Sequence, residues 1–215
     1  MNLPNSITFS RILMVPVFIW ALSPFFPVHG HSGEQEIVAS VVFVLASMTD
    51  GIDGYLARKR GQITTLGTLL DPLADKLMVA SAYIALVAYE PQIVKVWIAV
   101  VVIGREFLIN GLRSIASAEG FTIEASDLGK IKTVAQIVSV VAAILAHQWE
   151  AWYWGPVTIP VKWIAIAAVY FMLLVSIVSA VDYFVGFWKK ISKASDTRRK
   201  SFVLRRRKKE QPATD

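Results

Sequence analysis

Four carboxylates sit close together in an otherwise apolar chain. Asp50 and Asp53 are three residues apart, and Asp71 and Asp75 are four apart. At helical spacing each pair projects from one face, and Ala57, seven residues after Asp50, continues the first stripe. Four oxygen donors with no soft ligand nearby suit a hard divalent cation, and two such cations can share bridging carboxylates. A metal pair about 3.5–4 Å apart is a common device for in-line displacement at phosphorus. An aspartate at the centre of a membrane helix costs about 2.5–3.5 kcal/mol, so bound cations would also compensate for placing acids beside apolar helices.

The elements that must hold these carboxylates are legible from composition. The chain has 215 residues, 55% of them hydrophobic, with a mean hydropathy of +0.53, which places it among all-α integral membrane proteins. Apolar runs at Ile12–Val28, Ile37–Met48, Pro72–Tyr89, Ile93–Ile115, Val134–His147 and Ile159–Phe187 predict six transmembrane helices, each of about 20 residues once extended. Asn5, Ser6 and Thr8 can cap a short interfacial amphipathic helix before the first span, with Ile7, Ile12 and Leu13 towards lipid and Arg11 towards headgroups. The helices bearing the aspartate pairs are expected to be antiparallel neighbours joined near Gly61. Both pairs then lie at one end of the bundle.

Charge sets the orientation. Of 22 Lys and Arg residues, 11 lie in Lys189–Lys209, and most others cluster at Arg11, Arg58–Arg60 and Arg105–Lys132. With alternate loops on opposite sides these clusters share one side, so both termini are expected to be cytoplasmic, in a multi-pass protein of the cell membrane. The absence of cysteine excludes disulfides, thiolate metal sites and thiol nucleophiles. The N-terminal stretch has neither a cationic leader nor a small-residue cleavage pattern, and is expected to be retained. His29 and His31 lack a third ligand nearby and are read as part of a solvated turn. Trp149, Trp152, Tyr153 and Trp154 are read as interfacial anchors. Residues 1–188 are expected to form the membrane-embedded domain. Residues 189–215 are expected to form a mobile, basic cytoplasmic tail drawn to anionic membrane lipid, with no nucleic-acid role.

The pattern Asp50-x2-Asp53-Gly54-x2-Ala57-Arg58-x8-Gly67-x3-Asp71-x3-Asp75 resembles the signature of the CDP-alcohol phosphotransferase family at every fixed position. Outside residues 50–75, the stretches NLPNSITFSR, GREFLINGLR and LGKIKT are similar to the bacterial branch that uses sn-glycerol 3-phosphate as acceptor. The resemblance runs from Met1 to about Gly186, and the basic tail falls outside it.

That resemblance implies a dimeric six-helix membrane fold with its site open to the cytoplasm. It implies that Asp50, Asp53, Asp71 and Asp75 bind one or two Mg²⁺ or Mn²⁺ ions, which hold the diphosphate of CDP-diacylglycerol. Gly54, Ala57 and Gly67 would make room for cytidine, with Arg58 near the phosphates. Small residues also let helices pack closely, so Gly54 and Gly67 have a purely structural reading as well. Asp75 would double as general base, taking the proton of the primary hydroxyl of glycerol 3-phosphate as it attacks the phosphorus bearing diacylglycerol and CMP leaves. A carboxylate that is also a metal ligand is a weak base, and the sequence leaves open how Asp75 could serve both roles. Thr8 and Arg11 could touch the nucleotide phosphates, although headgroup anchoring is the plainer account.

An acceptor that already carries a phosphate needs its own clamp. Arg105, Arg113, Lys130 and Lys132 are the candidates: the arginines lie eight residues apart on one helical run, and the lysines open the next helix. The competing account is that these cations snorkel to headgroups. Glu106 and Asn110, lying between the arginines, make that run too polar to face lipid, so the arginines are expected to line a polar cavity. Glu106 is expected to pair with Arg105 or Arg113. Three rival readings remain: another branch of the family using inositol phosphate, serine or a second phosphatidylglycerol; a divalent-cation transporter; and an inactive structural subunit. The one-sided placement of the acids argues against transport, and the full set of aspartates argues against the subunit.

Overall fold

The computed structural model describes residues 3–27, 32–60, 65–121 and 127–210, with side chains described for 9–27, 32–48, 73–74, 76–121, 129–153 and 155–192. Six helices follow one another: α1 (Leu3–Leu22), α2 (Glu34–Arg60), α3 (Thr65–Tyr89), α4 (Val96–Ala118), α5 (Asp127–Gln148) and α6 (Val161–Glu210). A two-stranded hairpin, β1 (Trp152–Trp154) and β2 (Val157–Ile159), connects α5 to α6. Helix α1 packs on α2 and α3, α5 packs on α6 and α2, and α4 joins α3 to α6. Among the described residues, two helical stretches, Gly129–Gln148 and Val161–Ser192, are long and apolar enough to cross a membrane, and Phe9–Leu22 and Lys76–Tyr89 are shorter apolar helices.

The bundle is apolar inside and outside. Ala39, Ala46, Ala82, Ala143 and Ala165 are fully buried and let backbones approach closely. In lipid, close packing of this kind supplies the driving force that water exclusion supplies elsewhere. Phe18 and Phe43 meet with ring centroids 5.6 Å apart and join α1 to α2 in the core with Met78, Leu86 and Val102. Large apolar side chains also cover the perimeter, among them Ile84, Val100, Val134 and Leu174, each about three-fifths exposed. Such a surface suits lipid rather than water.

One polar pair crosses this core. Tyr83 on α3 and Ser139 on α5 are both fully buried, with their hydroxyl oxygens 2.9 Å apart. The Ser139 hydroxyl donates to the Gln136 carbonyl at 2.9 Å, so the tyrosine hydroxyl is the donor between them. Tyr83→Phe removes that bond while leaving Ser139 satisfied, and is expected to cost about 1 kcal/mol. Reversible unfolding in detergent measures this, and an unchanged transition would refute it.

The ends of the helices have local causes. Helix α4 closes in a Schellman arrangement: Gly120, at φ 78°, donates to the Ser117 carbonyl and Phe121 to that of Ala116, both at 3.1 Å. Ahead of α2, Gly33 adopts φ 82°, and a Cβ there would lie 2.4 Å from the Trp149 ring. Glycine is therefore required both by backbone conformation and by the indole packed against it.

Four features differ from the sequence reading. The expected interfacial helix and first span form one continuous helix, Leu3–Leu22, with Pro16 inside it. Nothing between Asn5 and Pro16 breaks the helical pattern, so no boundary forms there. Arg11, expected to point towards headgroups, is 1% exposed and lies among the packed helices. Helix α6 runs for 50 residues through the basic segment to Glu210, about 75 Å at 1.5 Å per residue. That is far more than the roughly 30 Å of a hydrocarbon core. No proline interrupts it and Gly186 stands alone, so helical hydrogen bonding continues after hydrophobicity ends. The hairpin between α5 and α6 was also not anticipated. Gly155, at φ 57°, supplies its turn.

Candidate active site

The aspartate-bearing segments are helical. Asp50 and Asp53 lie in α2 and Asp71 and Asp75 in α3, two helices that pack on each other and are separated by only four residues of chain. The side chains of all four aspartates, and those of Thr8, Ala57 and Arg58, lie outside the described residues, as do the surroundings of Gly54 and Gly67. His29 and His31 lie outside them too. Among the described residues, no group of three or more His, Asp or Glu side chains could hold a metal.

The described part of the site is cationic. A cavity of about 290 Å³ is lined by Lys76 from α3, Arg105, Glu106, Asn110 and Arg113 from α4, Lys130, Lys132 and Thr133 from α5, and Ser179 and Tyr183 from α6. All four cations singled out in the sequence, Arg105, Arg113, Lys130 and Lys132, therefore border one space. The eight-residue spacing of the arginines places both on the cavity side of α4, and α5 begins beside them.

Glu106 is the hub of this arrangement. Its side chain is 7% exposed, and its Oε1 accepts from Arg105 Nη1 at 2.9 Å and from Lys132 Nζ. Its Oε2 lies 3.3 Å from Lys76 Nζ. The expected pairing with Arg105 is present, and two lysines join it. Arg105 is held from the far side as well, where Nη2 donates to the Ser179 hydroxyl at 3.0 Å. Its Nε is buried and has no hydrogen-bond partner among the described residues. Arg113 is more exposed, and its guanidinium carbon lies 5.9 Å from the centroid of the Tyr183 ring, an arrangement that favours a cation over the ring face.

Sequence reasoning missed Lys76 and Ser179. Lys76 directly follows Asp75, and as a cation beside paired acids it carries a signal. Ser179 sits in an apolar run 74 residues from Arg105 and gave none.

A second, smaller cavity of about 100 Å³ is lined by Lys76, Glu106, Lys132, Thr133, Gln136, and Phe43 and Ser47 of α2. The Lys76–Glu106–Lys132 cluster thus stands between the cationic cavity and the part of α2 that leads into Asp50. Chemically, the cationic cavity can receive a small anion. Phosphate is a good match, because an arginine fork and several ammonium groups can share its oxygens.

Residues 1–188 match the model of the family described as CDP-alcohol phosphatidyltransferase. A CDP-diacylglycerol–glycerol-3-phosphate 3-phosphatidyltransferase of Bacillus subtilis is 39% identical over 197 residues, covering 88% of this chain and 97% of the relative. A probable phosphatidylglycerophosphate synthase of Mycobacterium tuberculosis is 34% identical over 182 residues, covering 85% and 79%. A Pseudomonas fluorescens protein bearing the same name as the Bacillus one is 38% identical over 157 residues, covering 72% and 77%.

Proposed function

The chain belongs to the CDP-alcohol phosphatidyltransferase family, and from that premise we propose that it transfers the phosphatidyl group from CDP-diacylglycerol to sn-glycerol 3-phosphate, giving phosphatidylglycerol phosphate and CMP. The chain is a membrane protein. The observation that carries the choice of acceptor is the cationic cavity: Arg105, Arg113, Lys130 and Lys132 around one space, with the Arg105 Nε donor unpaired among the described residues. An acceptor bearing a phosphate supplies the oxygens this set calls for. Serine offers this set a single carboxylate and brings a cation of its own, a poorer match than a phosphate dianion.

The roles of the residues follow from their chemistry. Asp75 removes the proton from the acceptor's primary hydroxyl as that oxygen attacks the phosphorus bearing diacylglycerol. Gly54, Ala57 and Gly67 leave space for cytidine, and Arg58, Thr8 and Arg11 serve the nucleotide phosphates. Arg105 and Lys132 hold the acceptor phosphate from the buried side of the cavity, and Arg113 and Lys130 from its mouth.

The family is generally dependent on divalent metal, and the oxygen-only donor set of Asp50, Asp53, Asp71 and Asp75 fits Mg²⁺ or Mn²⁺. When bound, the cations would neutralise the charge that develops on the departing CMP.

In this reading residues 1–188 form six spans in a homodimer, with both termini and the site facing the cytoplasm of the cell membrane. The basic residues after Lys189 continue α6 beyond its apolar run, and each cation near an anionic lipid surface contributes about 1 kcal/mol of attraction. Removing the residues after Lys190 is therefore expected to leave turnover in detergent near the wild-type value while weakening attachment to anionic vesicles. A large loss of turnover in detergent would make the segment part of the site.

The test of the reaction is CMP release by the purified protein in mixed micelles of CDP-diacylglycerol with Mg²⁺. Glycerol 3-phosphate, inositol phosphate, serine and no acceptor are compared. Release with glycerol 3-phosphate alone is expected, release with another acceptor would change the branch, and no release with any would overturn the reading.

A further inference from the structure

We propose that Glu106 is a positioning residue for the acceptor clamp, gathering Lys76, Arg105 and Lys132 into a preassembled cationic cluster before the acceptor arrives. This rests on the acceptor reading above. One carboxylate meets cations from three different helices, and the four side chains are only 7–18% exposed. With so little water to screen them, three cations converging on one point repel one another strongly. The carboxylate at their centre allows them to share the site.

The same contacts exclude a catalytic role for Glu106. Both oxygens of this carboxylate are taken by cations, so none is left to accept from the acceptor hydroxyl and it does not compete with Asp75 as base. Its work is geometric. It pins Arg105 Nη1 while Ser179 pins Nη2, which fixes the plane of the guanidinium and leaves Nε as the uncommitted donor. It also anchors Lys76, the residue next to Asp75, to α4. The clamp and the helix bearing the proposed base are thereby tied at one point.

Glu106→Gln keeps the size of the side chain and removes the charge. Without the carboxylate between them the cations repel one another and move apart, which takes a cation from where the acceptor phosphate needs it. Misplacement on this scale is expected to raise KM for glycerol 3-phosphate roughly ten- to a hundredfold. The KM for CDP-diacylglycerol should stay unchanged, and kcat at saturating acceptor should be largely kept. Glu106→Asp keeps the charge on a shorter arm and is expected to recover part of the loss. Ser179→Ala frees one edge of Arg105 without leaving a charge unpaired, and is expected to raise the acceptor KM about two- to tenfold.

The experiment measures both KM values and kcat for wild type and the three variants in mixed micelles. An unchanged acceptor KM in Glu106→Gln, or a parallel rise in both KM values with no recovery in Glu106→Asp, would overturn the proposal. If Glu106→Gln does not fold, Ser179→Ala carries the test, and an unchanged acceptor KM there would overturn it.

The functional reading fails separately, if wild-type protein releases no CMP with glycerol 3-phosphate. In that case thermal stabilisation by inorganic phosphate decides the clamp. Stabilisation of wild type that Ser179→Ala weakens supports it, and equal shifts in the two proteins refute it.

Discussion

Asp75→Asn is expected to retain binding of divalent cation and CDP-diacylglycerol but to lose turnover, whereas Asp50→Ala is expected to lose both binding and turnover. Asparagine keeps an oxygen donor of the same reach, so the coordination offered to a cation is weakened rather than abolished. It cannot accept a proton from the attacking hydroxyl, and loss of a general base lowers turnover by roughly 10²–10⁴. Alanine at position 50 removes a donor altogether, on the helix that carries half of the proposed ligand set. Isothermal titration with Mn²⁺, set beside CMP release, separates the two effects. Equal metal affinity in wild type and Asp50→Ala would contradict the assignment of the aspartates as ligands, and an active Asp75→Asn protein would remove Asp75 as the base.

The two variants differ because of where their residues lie. Asp75 immediately precedes Lys76, whose ammonium is tied to Glu106, so the proposed base is one residue away from the cluster that borders the acceptor cavity. Asp50 lies three residues beyond Ser47, which lines the smaller cavity on the α2 side of that cluster. A base near the incoming alcohol and a metal donor on the neighbouring helix are the positions that attack from one side and departure from the other require.

Much of the architecture was legible because lipid restricts the choices. Backbone polar groups in hydrocarbon must be satisfied within a helix or closed barrel, so long apolar runs translate into helices: α2, α3 and α5 contain the predicted runs, and α4 holds all of its run except Ile93–Lys95. The boundaries that failed are those where polarity changes without a helix breaker. Capping residues and polarity marked a short helix from Asn5 as a separate interfacial piece, and polarity marked residues 189–215 as a tail. Neither change of polarity interrupts hydrogen bonding along the helix, so α1 and α6 run through both. Arg11 was misplaced for a related reason: a cation near a membrane end usually snorkels outward, and only tertiary packing shows that it turns inward here.

At the site, the sequence carried identity and periodicity but not convergence. Arg105 and Arg113 could be assigned to a cavity because Glu106 and Asn110 between them make that run unsuited to lipid. That one carboxylate would meet Lys76, Arg105 and Lys132 depends on α3, α4 and α5 approaching at one depth. No spacing within a single helix encodes that meeting.

Arg105→Ala is expected to raise KM for glycerol 3-phosphate roughly ten- to a hundredfold, because Nε is the donor left for the acceptor and one charge-assisted hydrogen bond contributes about 1.5–3 kcal/mol. The KM for CDP-diacylglycerol should not move, since the proposed nucleotide contacts lie on α1, α2 and α3. Glu106 keeps Lys76 and Lys132 as partners in this variant, so no uncompensated carboxylate is left and the bundle should fold. Arg105→Lys should recover only a small part of the affinity. An ammonium cannot reach Glu106 and Ser179 with a planar fork and still present a further donor to the phosphate. Arg113→Ala should be milder than Arg105→Ala, because Arg113 is exposed and rests beside the Tyr183 ring rather than in the buried cluster. Initial rates at varied glycerol 3-phosphate and saturating CDP-diacylglycerol measure all three. Equal acceptor KM in wild type and Arg105→Ala would mean that the cationic cavity serves something other than the acceptor, since no other buried guanidinium borders it among the described residues.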